Sequence, residues 1–363
     1  MKPRRIEDVE VVGVHESAVA ALQGVDREIR REGAPGFELG DFGDHVFEGF
    51  EVAVIAVDRL QTGRSTGRVV GLTFDLDVEG ADVVVEQFRP GVMDRLGLGY
   101  EDLRAINPRI IYCAITGYGQ TGPRRDVAAH DLNYAAEAGM LAVSADPTGA
   151  PVLPNALIAD IAAGAYPAVI NVLLALRRRD ATGEGAKIDI AMADGLFPFQ
   201  YWAMGEGEVT GRWPAPGTGL VAGGSPRYQI YRTADGKFLS AAPLEQKFWE
   251  NFCAAIGLPA EYLDDAKDPE RVKRAVAALI ASQSAEHWTA RLAGKDVCCA
   301  IAASIESACR DPGFAARGLF DHKVSDGQRS ISAIPVPIDP AFRSTERTLD
   351  YPRLGADNAR LLK

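Results

Sequence analysis

Cationic charge is in short supply in this chain. Its 363 residues carry 39 Lys+Arg against 50 Asp+Glu, a formal net charge of −11. That argues against nucleic acid as a main partner, because binding a phosphate backbone needs a basic face. A local basic pocket for one anionic ligand is still open. Long apolar runs are missing as well. None reads as the ~18–20 uninterrupted apolar residues of a membrane span. The opening MKPRRIEDVEVVGVHESAV is basic but has no apolar signal-peptide core. The expectation is a cytoplasmic protein without a membrane partner. Cysteines are few, at 113, 253, 298, 299 and 309, with no metal-ligand spacing. Reduced thiols are therefore expected, rather than a metal centre or a disulfide framework. No internal repeat or low-complexity segment is found. What is present is 47% hydrophobic and 25% charged residues, an ordinary globular composition with ample matter for a core. The length suits two domains, or one large domain with an insertion.

The pattern is most legible from residue 81. ADVVVEQF (81–88) is a continuous apolar strand of the kind buried in a parallel sheet. Arg89-Pro90-Gly91 breaks it, and a helical stretch follows to about Asn107. RIIYCAITGYG (109–119) reads as a second strand ending in the glycine-rich loop GYGQTGP (117–123). Strand, helix, strand within about forty residues is a βαβ unit, so a parallel sheet packed by helices is expected. Asp160 precedes the apolar segment IAAGAYPAVINVLLALRRR and reads as its N-cap. Arg177, Arg178 and Arg179 suit a helix C-terminus, Gly183 a stop, and Pro167 a kink or late start. KIDIAM (187–192) alternates like a strand.

Residues 204–227, GEGEVTGRWPAPGTGLVAGGSPR and the text before it, are rich in Gly and Pro and read as a domain connector. YQIYRT and KFLSAA flank an Ala-Asp-Gly turn, and a helix is expected over 246–258. The expected organisation is a large α/β domain over 1–203, the 204–227 linker, a smaller α+β domain over 228–330, and a tail, 331–363, that returns to the large domain. Within 1–80, EGFEVAVIAV (48–57) reads as a strand and 63–80 shows β-rich alternation.

Chemistry concentrates at His130-Asp131-Leu132-Asn133-Tyr134. The chain has only five histidines, and this one follows a strand end and a glycine-rich turn, a usual place for a site in an open α/β sheet. Read alone, a single histidine is more often structural than catalytic, and Asp160 is a plain helix cap. Their separation in sequence does not by itself make them an acid/base pair. Arg89 and Arg95 read alone as solvated surface charge.

Several blocks of text together change that balance: ADVVVEQFRPGVMDRLGLGYEDL, NPRIIYCAITGYGQTGP, AHDLNY, IADIAAG, ATGEGAKIDIAMADG, GGSPRYQIYRTADGKFLSAAPLEQKFW and DPGFAARGLF. In this order, over residues 81 to about 320, they resemble the family III CoA-transferases, and within them the α-methylacyl-CoA racemases. The resemblance implies a Rossmann-like large domain, a smaller α+β domain and two chains interlocked as a homodimer. The site lies at the subunit boundary. An acyl-CoA thioester is the expected partner, with CoA as part of the substrate and no metal or redox cofactor. It also implies site residues. His130 and Asp160 are the catalytic acid/base pair, and Glu245 orients the histidine across the subunit boundary. Gln87, Phe88, Arg89 and Arg95 contact CoA, and the loop from Ala129 through Asp131, Leu132, Asn133 and Tyr134 lies along the thioester.

The implied reaction suits those residue types. Inverting an α-methyl centre removes the α-proton on one face and returns one on the other, which an imidazole and a carboxylate do directly. The enolate between them needs N–H donors, and those that follow His130, beginning at Asp131, are the candidates. A second reading is a CoA-transferase in which Asp160 attacks the thioester and forms a mixed anhydride with release of CoA thiolate. A third is a non-catalytic acyl-CoA binder. It is motivated by residues 1–80, where the family's usual glycine-containing strand–helix opening and its arginine-bearing region have no legible counterpart. Arg89 and Arg95 are then the recognisable cations for CoA, and weak CoA affinity is expected.

Overall fold

The computed structural model describes residues 78, 81–146 and 149–351. The strand expected at 48–57 lies outside the described residues, as does the 63–80 stretch apart from Val78. The chain folds as two compact units that interleave along the sequence. One takes residues up to 127, 164–191 and 305 onward; the other takes 128–163 and 192–304. These boundaries differ from the contiguous 1–203 and 228–330 segments read from composition, because residues 128–163 join the unit that also holds 228–304.

The first unit is built on a parallel three-stranded sheet in the order β1 (Val83–Glu86), β2 (Ile111–Thr116), β3 (Ala186–Ala191). Val83 pairs with Ile111, and Ile111 with Ala186. The helices Val92–Arg95 and Tyr100–Ile106 connect β1 to β2. Strand side chains alternate between faces, and both faces here are apolar. Val84, Tyr112 and Ala114 pack with Met93 and Leu103 on one side. Val83 and Ile111 pack with Ala175, and Cys113 with Ala168 and Ile190, on the other. Burial on both faces explains the near-continuous apolar text of β1 and β2.

Ala168 and Ala175 belong to the helix Tyr166–Thr182, which continues directly from a wider π-helical stretch, Ile158–Ala165. Asp160 is therefore not the N-cap that the sequence suggested: the helical turns begin before it, at Ile158. Pro167 sits at the start of the α-helical part, where its missing N–H is tolerated. Gly183 ends the helix at φ +80°, with its N–H on the Arg179 carbonyl at 2.8 Å. Arg179 does more than complement the helix end. Its side chain is buried, its Nη2 lies 2.7 Å from Asp82 Oδ1, and its Nη1 donates to the Asp82 and Arg109 carbonyls. One guanidinium thus ties the helix end to the residue before β1 and the residue before the β2 run.

The whole helical span, Ile158–Thr182, has 25 residues and is long and apolar enough to cross a membrane by length and composition. In the linear text Asp160, Gly164, Pro167 and Asn171 interrupt the span. Val169, Ile170, Leu173 and Leu174, on its outward side, are each more than half exposed.

In the second unit, β4 (Gln229–Arg232), β5 (Phe238–Ala241) and β6 (Cys299–Ile301) form an antiparallel sheet in that order. The β4–β5 hairpin turns at Ala234-Asp235-Gly236, where Gly236 adopts φ +78° and the Asp235 carboxylate accepts the Thr233 hydroxyl at 2.6 Å. Helices Gln246–Ile256, Pro269–Ile280 and Ala285–Leu292 bury Trp249, Phe252, Val276, Ile280 and Trp288 against Leu239 and Tyr231. Each such side chain, fully buried, contributes roughly 1.5–3 kcal/mol. The expected connector over 204–227 is also corrected. A helix, Tyr201–Thr210, runs through its first part. Gly205 and Gly207 stand inside that helix, and Gly207 leaves the space that the Trp213 ring occupies. A third small sheet, β7 (Lys323–Ser325), β8 (Ser330–Ser332) and β9 (Thr348–Asp350), in the order β8-β7-β9, belongs to the first unit. The class is mixed α/β.

Candidate functional site

The glycine loop after β2 turns at Gly119, φ +82°, and is pinned by the Gln120 N–H, which donates to both carboxylate oxygens of Asp189 on β3 at 3.1 and 2.9 Å. Ten residues further on, in the second unit, His130 stands in extended backbone as the N-cap of the helix Asp131–Glu137. Its own backbone is held twice. Asn133 Oδ1 accepts the His130 N–H at 3.0 Å, and the His130 carbonyl accepts the Asn133 N–H at 2.8 Å. The buried Tyr134 donates its hydroxyl to the Ala129 carbonyl at 2.8 Å. Asp131 is buried, and its Oδ2 accepts the backbone N–H of Asp160 at 2.9 Å. His130, Asp131 and Asp160, dispersed in the sequence, are thereby brought together in one unit. The amides of Asp131 and Leu132 belong to the first helical turn and have no intrahelical acceptor.

The imidazole of His130 is exposed and makes no hydrogen bond or ion pair among the described residues. Glu245 repeats this arrangement in the same unit. It is the N-cap of Gln246–Ile256, its carboxylate does not cap that helix, and it is exposed. Elsewhere the caps are used: Asp268, Ser284 and Asp311 each accept an N–H from their own helices. Histidine and glutamate are not preferred cap residues. Both side chains are left available.

Gln87, Phe88, Arg89 and Arg95 belong to the first unit, apart from His130, Asp160 and Glu245. Glu86 fixes their start. It is buried at the end of β1, its Oε2 accepts the Phe88 N–H at 2.8 Å, and the Tyr112 phenol is bonded to it. Burial pushes its carboxyl above the usual range, against those two hydrogen bonds. The turn that follows passes Gly91 at φ +80°. The guanidinium ends of Arg95 and Arg125 both approach this glycine, and a β-carbon there would meet each at 3.6 Å. Arg89 and Arg95 have no ion-pair partner among the described residues. Among the described residues Arg125 has only the exposed Asp126, at 3.5 Å. The sequence reading missed Arg125; the signal available was the Arg124-Arg125 doublet after Gly122-Pro123. Among the described residues, no three His, Cys, Asp or Glu side chains gather as metal ligands.

The family model described as CoA-transferase family III matches residues 74–358. The chain is 32% identical to the α-methylacyl-CoA racemase of Homo sapiens over 274 residues, covering 74% of this chain and 71% of the relative. It is 30% identical to the acetyl-CoA:oxalate CoA-transferase of Acetobacter aceti over 295 residues, covering 79% and 74%. Among solved structures, Rv3272 from Mycobacterium tuberculosis aligns with TM-score 0.64 at 27% identity, covering 78% of this chain and 77% of that one. A CaiB/BaiF family protein from Brucella suis aligns with TM-score 0.63 at 27% identity, covering 78% and 75%.

Glu86 generates a prediction about pH. A carboxyl whose folded-state pKa is raised contributes stability that is fully present below the ordinary carboxyl value, about 4.3, and is lost as pH rises through the folded-state value. Glu86→Gln keeps the shape and an acceptor for Phe88 without the buried charge. The variant should melt at a higher temperature than the parent at pH 8, and at the same temperature near pH 4. A melting difference independent of pH would contradict this account of Glu86.

Proposed function

The chain belongs to CoA-transferase family III, and from that premise we propose that it inverts the α-methyl centre of a 2-methylacyl-CoA thioester, an isomerisation in lipid metabolism. The observation that carries the reading is the hydrogen bond from the Asp160 amide to Asp131. It couples Asp160 to the residue after a histidine whose imidazole is unengaged. In this reading neutral His130 removes the α-proton from one face of the thioester. The electron pair is held as an enolate, and the carboxylic acid of Asp160 returns a proton to the opposite face. The reverse direction exchanges the two roles. Glu245 of the partner subunit orients the imidazole. CoA arrives as part of the substrate, held by Gln87, Phe88, Arg89 and Arg95, with Arg125 beside Arg95 at Gly91 as a further cation for its phosphates, and with the thioester along Ala129–Tyr134. Proton transfer between two such bases calls for no metal or redox cofactor.

The same reading includes a Rossmann-like large domain, a smaller α+β domain and an interlocked homodimer, working in the cytoplasm without nucleic-acid or membrane partners. The exposed apolar side of Tyr166–Thr182 supports a second copy as its cover, since an apolar strip of that kind gains from leaving water.

A CoA-transferase is the second reading, favoured by the transferases among the relatives. There the Asp160 carboxylate attacks the thioester carbonyl, a mixed anhydride forms, and CoA leaves as the thiolate. Incubation with an α-methylacyl-CoA in deuterated water, and separately with a free-acid acceptor, distinguishes them. A racemase washes deuterium into the α-position, a transferase moves CoA, and a binder does neither.

Three outcomes follow from this reading. His130→Ala and Asp160→Asn should each slow α-deuterium exchange by about two to four powers of ten, the range of a positioned acid or base. Thioester binding should change little. Full exchange in His130→Ala, with CoA transfer abolished in Asp160→Asn, would favour the transferase. In calorimetry, Arg89→Ala and Arg125→Ala should each weaken CoA by about 1.5–3 kcal/mol, as for lost hydrogen bonds to a charged group. Binding of a pantetheine thioester, which lacks the nucleotide phosphates, should be unaffected; CoA affinity that ignores both substitutions would count against the arginine assignment. Sedimentation should find a dimer that buries more than ~1,600 Å² and does not separate into active monomers. An active monomer at nanomolar concentration would falsify the interlocked arrangement.

A further inference from the structure

The guanidinium of Arg227 is the most heavily engaged cation of the second unit. Its Nε and Nη2 form a bidentate pair with Asp265, at 3.0 and 2.7 Å. Its plane lies over Trp249, 5.2 Å from the ring centroid. Trp249 is fully buried, and its Nε1 donates to the Leu263 carbonyl at 3.0 Å. Both members of the ion pair are mostly buried, with side-chain exposures of 17% and 13%. The Arg227 N–H itself rests on Ser225 Oγ at 3.1 Å. Edge, face and backbone of this arginine are all fixed.

Three N–H donors remain, and two of them go to one place. Nη1 donates to the Leu244 carbonyl at 3.2 Å, and Nη2 donates to Gln246 Oε1 at 2.8 Å. These are the residues on either side of Glu245. Glu245 lies between them in extended backbone, φ −73° and ψ 147°, with its carboxylate unengaged. A pair whose purpose was only to hold the unit together would be complete with Asp265 and Trp249. The further bonds hold the Leu244 carbonyl on one side of the glutamate and the Gln246 side chain on the other, without touching the carboxylate.

We infer that Arg227 is the positioning residue for Glu245, holding the loop–helix junction that presents its carboxylate. The inference rests on the proposed role of Glu245 in orienting His130. The rigid planar fork is essential to it. A lysine in this place keeps a positive charge near Asp265, but its single ammonium does not make the bidentate pair, lie over Trp249 and reach both flanks of Glu245 together. A misplaced orienting group lowers turnover more than binding, because CoA is held elsewhere.

The test is a kinetic cycle on the full-length protein, with α-deuterium exchange as the readout, or CoA transfer if that is the activity found. Arg227→Lys should lower kcat about ten-fold with KM changed less than about two-fold. Gln246→Leu removes one flanking bond at an exposed position, so it leaves folding intact; it should lower kcat by a smaller factor, about three-fold. In a Glu245→Gln background neither substitution should lower kcat further, since the group they position is already gone. The inference is overturned if Arg227→Lys and Gln246→Leu turn over like the parent while Glu245→Gln does not. It is also overturned if the losses multiply in the double variants, or if the kcat loss in Arg227→Lys matches a loss of folded protein by circular dichroism and Gln246→Leu is silent. Parent-like turnover in Glu245→Gln alone marks failure of the Glu245 reading itself.

Discussion

A single backbone N–H, that of Asp160, meets the buried carboxylate of Asp131 at 2.9 Å. The chemistry proposed for this chain depends on that contact. A carboxylate out of water is costly unless hydrogen-bonded, and an amide in the first turn of a helix is a donor without an intrahelical partner. Each group meets the other's need. The bond sets the distance between two chain segments whose sequence separation carries no geometric information. His130 is covalently next to Asp131, so restraining Asp131 restrains the backbone of His130. The Asn133 and Tyr134 contacts complete the restraint. The imidazole is the part left unrestrained.

The same economy appears at Glu245. An N-cap side chain that bonds its helix typically contributes about 1 kcal/mol. The chain forgoes that at both His130 and Glu245, while taking it at Asp268, Ser284 and Asp311. Neighbouring contacts hold the chain at both places. At His130 these are the Asn133 bonds; at Glu245 they are the Arg227 bonds.

What was legible in the sequence follows from how local its cause is. β1 and β2 were readable because burial on both faces writes an unbroken apolar run. The β4–β5 hairpin was readable because Asp235-Gly236 supplies its turn chemistry. The helix end at Gly183 was readable because a left-handed residue there favours glycine. Asp160 was misread as a cap because a π-helical start has no side-chain signature comparable to an N-cap. Residues 204–210 were misread as connector because Gly205 and Gly207 look like breakers until Trp213 is seen lying against the second of them. Arg125 and Glu86 act through approach in space, at Gly91 and at the Phe88 amide, which residue types alone do not announce. The pairing of His130 with Asp160 came from family resemblance; the bond from the Asp160 amide to Asp131 is a tertiary contact that residue types alone do not announce.

The π-helical start has a cause of its own. In a regular α-helix a proline at 167 has no N–H for the carbonyl four residues back, that of Ala163, and its ring presses against that carbonyl. Widening the turns over Ile158–Ala165 relieves the crowding. At the same carbonyl the chain passes closely at Gly195, where a β-carbon would collide with Ala163. A proline and a glycine far apart in sequence therefore shape the same turn. Asp160 sits on that turn, and a π-helical turn sends its side chains in directions that an α-helical one does not. Such wide turns recur at functional sites. The Asp131 bond holds the Asp160 backbone on that turn.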